Sequence, residues 1–169
     1  EYGNGLFDAL FAAGEEFGIG MVGMRAMESL RIEKSYRMWG SDLTPDYTPF
    51  EASLDRFVCM NKGDFVGKVA LERQLANGVP HRFVTLEVHG VTDADPLGNE
   101  PLFANGALVG RATAGSYGHV LEKSLALAYV APRYADIGAR MEIEILGERK
   151  QAIVLQESPF DPENRRLRA

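Results

Sequence analysis

The sequence predicts an α+β chain, with helices and a strand-like stretch up to about residue 78 and a small closed antiparallel β-barrel beyond it. Three observations carry this expectation. Apolar residues recur at helical spacing over residues 5–17 and again over 24–35. After Pro80 the period drops to two, as in Phe83–His89 and Arg140–Leu146. Asn105-Gly106, set between two apolar arms, signals a hairpin because both residues accept positive φ.

The first helix places Leu6, Phe7, Leu10, Phe11 and Phe17 on one stripe, with Asn4 as its N-cap and Gly18-Ile-Gly20 as its stop. The second runs from about Met24 to Ser35, with Met27, Leu30 and at times Ile32 inward. Arg25, Glu28 and Arg31 share one side at spacings of three. Pro45 and Pro49 make residues 43–50 irregular. Residues 52–59 read as a strand, or as a short helix passing into one. Asp64 is placed to cap a third helix from Phe65 to about Ala76, burying Val66, Val69, Ala70 and Leu75 and stopped by Asn77-Gly78 and Pro80. Gly67 is a weak point in it. Strands follow at 83–89, on both arms of the Asn105-Gly106 hairpin through Tyr117, at Ser124–Val130, and at 140–146 and 151–155 around a turn at Gly147-Glu148. This spacing of strands and turns suits a small barrel.

At 169 residues the chain holds one domain, or one small domain plus part of another. The formal net charge of −6, without a long basic run, argues against non-specific nucleic-acid binding. No apolar run is long enough to span a bilayer, so no membrane role is expected. One cysteine, Cys59, excludes an internal disulfide, favours a reducing compartment and reads as a small buried apolar residue. His81, His89 and His119 are too scattered for a metal set, and no Gly-x-Gly-x-x-Gly follows a strand. Ser116 and His119 lack the strand-elbow context of a nucleophile and its base, and read as loop. The chain begins at Glu1 without Met and enters a helical pattern within a few residues, as expected for a piece of a longer protein.

The stretch with most chemistry is residues 29–44. Arg31, Glu33, Lys34 and Arg37 interleave there with Leu30, Ile32, Tyr36, Met38 and Trp39, and the helix breaks at Gly40. Such a helix exit suits a ligand that is flat at one end and anionic at the other. A ring stacks on Tyr or Trp, and a carboxylate takes a bidentate clamp from Arg. The competing reading is an ordinary helix end, with Leu30 and Trp39 in the core and Arg31 and Arg37 in surface ion pairs. Arg31 and Glu33, two apart on a regular helix, cannot both point at one spot.

The same stretch carries a resemblance. Ser29-Leu-Arg-Ile-Glu-Lys-Ser-Tyr-Arg-Met-Trp-Gly-Ser-Asp-Leu-Thr44, Thr48-Pro-Phe-Glu-Ala52 and Lys62-Gly-Asp-Phe-Val-Gly67 resemble the tetrahydrofolate-dependent aminomethyltransferase family, which includes the glycine cleavage T-protein. With Arg25-Ala-Met, Tyr36-Arg-Met-Trp-Gly40 and the ending Phe160–Arg168, the chain is more similar to the folate-binding half of dimethylglycine and sarcosine dehydrogenases. The resemblance implies that residues 1–78 are the C-terminal part of a folate-binding domain and residues 79–169 the family's C-terminal barrel and tail.

It also implies a folate site using Arg31, Tyr36, Trp39 and Glu33. Glu33 could instead pair with Arg37 one turn on, and Tyr36 and Trp39 could instead pack between helices and barrel. The segment Ala114-Gly-Ser-Tyr-Gly-His119 resembles a family loop that faces the first half of the molecule. The family's acting aspartate and its pterin-reading Glu would lie in the missing N-terminal half, so no catalytic residue and no metal is assigned to this chain. Any FAD would lie there too. The implied reaction passes a one-carbon unit from an amine donor to tetrahydrofolate, giving 5,10-methylene-tetrahydrofolate. The alternatives of the same fold are a non-catalytic folate-binding module and a folate-dependent demethylase. A cytoplasmic setting is expected, or the mitochondrial matrix in a eukaryote. The cut would leave Phe7, Phe11, Met21 and Met24 open to self-association.

Overall fold

A computed structural model describes residues 2–169 of the chain. Three helices come first: α1 (Gly3–Gly14, extended by a 3-10 turn to Phe17), α2 (Met24–Glu33) and α3 (Lys68–Asn77). Six strands follow: β1 (Arg82–Val88), β2 (Pro101–Ala104), β3 (Ala107–Gly118), β4 (Lys123–Val130), β5 (Arg140–Ile145) and β6 (Glu148–Leu155). They close into an antiparallel barrel in the order β1-β4-β3-β2-β5-β6, with β6 pairing back onto β1. The expected α+β fold with its small barrel is therefore what the chain adopts.

Turn chemistry sets the hairpin registers. Asn105 and Gly106 take φ of 51° and 78°, and Leu146 and Gly147 take 49° and 81°. Both pairs sit in the positive-φ geometry that matches strand twist. The second turn thus falls one residue earlier than expected.

The barrel interior is filled by the inward faces of all six strands, with Leu86, Leu102, Ala128, Val130 and Ile143 completely buried. Small residues on β4 at Ala126 and Ala128 suit a narrow lumen. The other face of β4 is buried too. Leu125, Leu127 and Tyr129, with Phe83 of β1, pack against Ile32 of α2 and Ala52. Two covered faces explain why β4 reads as a continuous apolar run rather than an alternating one.

The helical half departs from expectation in several places. The α1 stripe buries nothing, and Asn4 lies inside the helix, where no side chain caps the N-terminus. The inward residues of α2 are Ser29, Ile32 and Glu33, whereas Met27 and Leu30 are exposed. Residues 52–59 form turns and a 3-10 segment (Asp55–Phe57) with no strand. Helix α3 starts at Lys68, after Gly67 at φ 92°, a conformation that stops a helix from running through it. Val66, Val69 and Leu75 are exposed, as is Cys59. Residues 114–118 belong to β3 and are not a loop. Amphipathic spacing names a face that could be covered. Whether another element covers it is decided by tertiary packing, and none of the described elements reaches these faces.

Candidate functional site

The end of α2 and the loop after it, residues 34–43, are held against the barrel by a buried polar hub. Its centre is Asp42, whose residue exposure is 0%. Asp42 Oδ2 accepts hydrogen bonds from Arg31 Nη1 at 2.7 Å and from the Met38 amide at 2.8 Å. Its Oδ1 accepts a very short bond from the Thr113 hydroxyl, and its carbonyl accepts from the Tyr129 hydroxyl at 2.8 Å. Thr113 is the extra residue where the β3–β4 register shifts, between Ala112 and Ala114. A bulge re-aims a side chain that a regular strand would not point there. Burial pushes the Tyr129 phenol pKa well above its ordinary value, and Tyr47, stacked at 3.7 Å, pushes it the same way.

Arg31 is the second part of the hub. Its side chain is only 10% exposed. Nε and Nη2 donate to Glu28 at 2.8 and 2.5 Å, a bidentate pair one helical turn back. Nη1 donates to Asp42 and to the Tyr36 carbonyl, each within 2.8 Å. Burial works against its charge, but Glu28 and Asp42 outweigh that and hold its pKa above the ordinary value. Four of the five guanidinium N–H groups are thus engaged within the protein. The two-pronged clamp on a ligand carboxylate expected from sequence is not open to it, and one N–H remains.

Glu33 points the other way, as its spacing from Arg31 requires. Its Oε1 accepts from the amides of Val120 at 2.7 Å and Leu121 at 3.0 Å, in the β3–β4 turn. The pairing with Arg37 does not form. Gly118 makes room for it, since a Cβ there would sit 2.9 Å from both Glu33 Cγ and Oε1. Arg37 instead clamps Glu157 with two bonds, at 2.9 and 2.8 Å, and lies over the Phe83 ring. Lys34 Nζ ties down the C-terminal segment through the Asp161 carbonyl and Asn164 Oδ1, both at 2.7 Å.

The rings on this loop are left outward. Tyr36 is 50% exposed and Trp39 is 73% exposed. Neither fills the space between helices and barrel, so the core reading of Trp39 and Leu30 is corrected. Tyr36 lines an open cleft of about 530 Å³ together with Lys34, Arg37, Arg56, Phe57 and Glu157. Trp39 is not one of its walls; it sits in a small bridge to Leu43, closed by the Gly40 amide on the Leu43 carbonyl at 2.8 Å.

Helix, loop and barrel match known proteins in the same order. The family model described as the GCVT N-terminal domain matches residues 1–62, and that of the glycine cleavage T-protein C-terminal barrel domain matches residues 81–161. The chain belongs to the glycine cleavage T-protein family. Human mitochondrial dimethylglycine dehydrogenase is 44% identical over 153 residues, which is 90% of this chain and 18% of that protein. The aminomethyltransferase of Desulfitobacterium hafniense (strain DSM 10664 / DCB-2) is 33% identical over 92% of this chain and 42% of its own length. The crystal structure of glycine cleavage system aminomethyltransferase T from Bartonella henselae superposes with a TM-score of 0.80 at 27% identity, covering 95% of this chain and 44% of that one. The chain therefore spans less than half of each of these T-protein relatives.

Two members of the hub escaped sequence reasoning. Asp42 sits in Gly40-Ser-Asp42, where an acid three residues past Trp39 reads as loop polarity. Thr113 was hidden in a strand pattern. Among the described residues no group of three or more His, Cys, Asp or Glu side chains could hold a metal ion, and no helix is long and apolar enough to cross a membrane.

Proposed function

We propose that this chain forms part of the tetrahydrofolate site of a one-carbon-transferring enzyme of the T-protein family. The observation that carries the reading is the pair of outward rings, Tyr36 and Trp39, on a loop locked by the buried Arg31–Asp42 pair. Exposed aromatic rings cost water-ordered surface unless a ligand covers them, and a rigid base under them lowers the entropy lost on binding. The residues fit a folate. Tyr36 and Trp39 offer flat faces for its aromatic parts, and Arg56, on the wall of the neighbouring cleft and without a carboxylate partner among the described residues, is the cation open to its carboxylates, since Arg37 is held by Glu157 and Lys34 by the C-terminal segment. Arg31 contributes its one remaining N–H and, more, the shape of the loop. Glu33 contributes by docking α2 onto the barrel.

When bound, tetrahydrofolate supplies the nitrogen edge that accepts the one-carbon unit. The residues of this chain orient it. We further propose an N-methyl amine as the ultimate donor, in line with the dimethylglycine dehydrogenase relative, with flavin and acid–base groups outside these residues. The mitochondrial setting of that relative extends to this chain only as part of the same proposal. Residues 1–78 and 79–169 are proposed as the two domain pieces.

Titrating Trp39 fluorescence with tetrahydrofolate in the enzyme that carries this chain tests the reading. Saturable quenching is expected, weakened by Tyr36→Ala. Unchanged affinity for tetrahydrofolate by calorimetric titration after both Tyr36→Ala and Trp39→Phe would remove the loop from the site.

A further inference from the structure

On another side of the molecule a cleft of about 350 Å³ opens between the barrel and the segment that carries Tyr47. It shares no wall with the cleft beside Tyr36. Its polar walls are His81, Arg111 and Arg133, and its apolar ones include Leu108, Tyr47 and Tyr129. The chain carries a net charge of −6, yet no Asp or Glu lines this cleft.

The two arginines have no carboxylate partner among the described residues. Arg111 donates to the neutral Asn99 Oδ1 at 2.5 Å and reaches the Tyr47 hydroxyl at 3.4 Å. Arg133 lies over the Tyr134 ring, 5.0 Å from its centre. Two unneutralised guanidiniums facing one cleft raise its positive potential and hold planar donor forks suited to carboxylates.

His81 is the third polar group. Its Nδ1 lies 3.0 Å from Glu51 Oε1, and Glu51 is buried and fixed from its other oxygen by Thr48 and Gln74. The imidazole is therefore held in one orientation, and Nε2 is the nitrogen left for the cleft. The stacked Tyr47–Tyr129 pair and Leu108 add apolar surface. A volume near the lower end of the usual ligand range, about 300–1,000 Å³, suits a small molecule.

We propose that this cleft is a second anion site, which takes a small organic carboxylate with an apolar or aromatic body. It stands independently of the folate reading. The guanidiniums pair with the carboxylate, and the body lies along Leu108 and the tyrosine rings.

Sodium benzoate is the probe. Titrated into the isotope-labelled protein, it is expected to give saturable amide shifts at His81, Leu108–Arg111, Ala131 and Arg133. The double variant Arg111→Gln, Arg133→Gln should bind it at least about tenfold more weakly, as loss of charge-assisted bonds implies. Both side chains are exposed, so its melting temperature should match the parent's. Absence of saturable shifts in the parent, or equal binding by the double variant, would overturn the proposal. Inorganic phosphate displacing benzoate at equal affinity would overturn it too, because the site would then read charge and ignore the apolar body.

Discussion

Asp42 is where a single side chain decides the most. It is the only carboxylate of the hub that touches α2, the loop and the barrel at once. Breaking a buried ion pair by removing one partner costs about 3–5 kcal/mol, because the other charge stays buried and uncompensated. Asp42→Ala is therefore expected to lose at least about 3 kcal/mol in urea unfolding. An unchanged midpoint would mean that Arg31 and Thr113 find other partners and that the hub carries little.

Glu51 makes a pH prediction at the same scale. Burial pushes its carboxyl pKa up, but bonds from His81, Thr48 and Gln74 outweigh this and leave it below the ordinary 4.5. A group whose folded pKa lies below its unfolded one stabilises the fold above the unfolded pKa, and that stability is lost as pH falls through the folded value. Stability contributed by Glu51 should therefore be constant above about pH 5 and fall away below the unfolded pKa. Glu51→Gln should flatten this acid limb of the melting temperature. Parallel acid limbs for parent and variant would show that other carboxylates control it.

At the scale of elements, α2 and the 34–43 loop act as one piece. One face of the helix is sewn to the barrel. Ser29 Oγ donates to the Tyr117 carbonyl at 2.7 Å, Ile32 enters the outer cluster, and Glu33 takes the two turn amides. The loop is fixed from below by Asp42, so its upper side is free to carry Tyr36 and Trp39. Because Trp39 packs against little, Trp39→Ala should leave thermal stability near the parent's while weakening tetrahydrofolate binding by roughly tenfold, about 1.4 kcal/mol, at the upper end of the ~0.5–1.5 kcal/mol of a stacked ring. A large drop in melting temperature would return Trp39 to a packing role.

The helical faces show what periodicity does and does not reveal. The spacing of Glu28 and Arg31 implied one shared side, and the Glu28–Arg31 pair forms there. The apolar stripe of α2 did not mark its buried side. That side carries a serine and a glutamate, because barrel amides and carbonyls await them.

For the whole molecule, the barrel and the segment packed on it form two adjoining cores. The buried members of the inner one all lie on strands, with Val91, Ala94, Tyr134, Ala135 and Ala139 from the connections packed against them. The outer one needs Ile32 and Ala52 to cover Phe83, Leu125, Leu127 and Tyr129. If the proposed boundary holds, a chain starting near Val79 should still unfold cooperatively, from the inner core, but at lower temperature and with more exposed apolar surface. A spectrum of an unfolded chain would place the boundary elsewhere. Phe7, Phe17, Met21, Val22 and Met24 are each exposed in the 169-residue chain, so the apparent mass from light scattering should rise with its concentration. A monomer mass that stays constant across concentrations would count against that expectation.

Sequence alone determined the six barrel strands, the Asn105-Gly106 hairpin, the closed barrel and the family, while the strand it suggested at residues 52–59 does not form. These rest on local signals: a period of two, residues tolerant of positive φ, and a contiguous motif through residues 29–44. Tertiary structure alone decided that Arg31 turns to Asp42, that Glu33 holds the β3–β4 turn, and that Arg111 and Arg133 meet His81 at one cleft. Arg31 and Asp42 are neighbours in the chain, but Asp42 is held for Arg31 by the distant Thr113 and Tyr129 of the barrel, and the other two depend outright on groups far apart in the chain that the closed barrel brings together. A charged side chain shows in sequence that it needs a partner; which one it gets is fixed only when the sheet has closed.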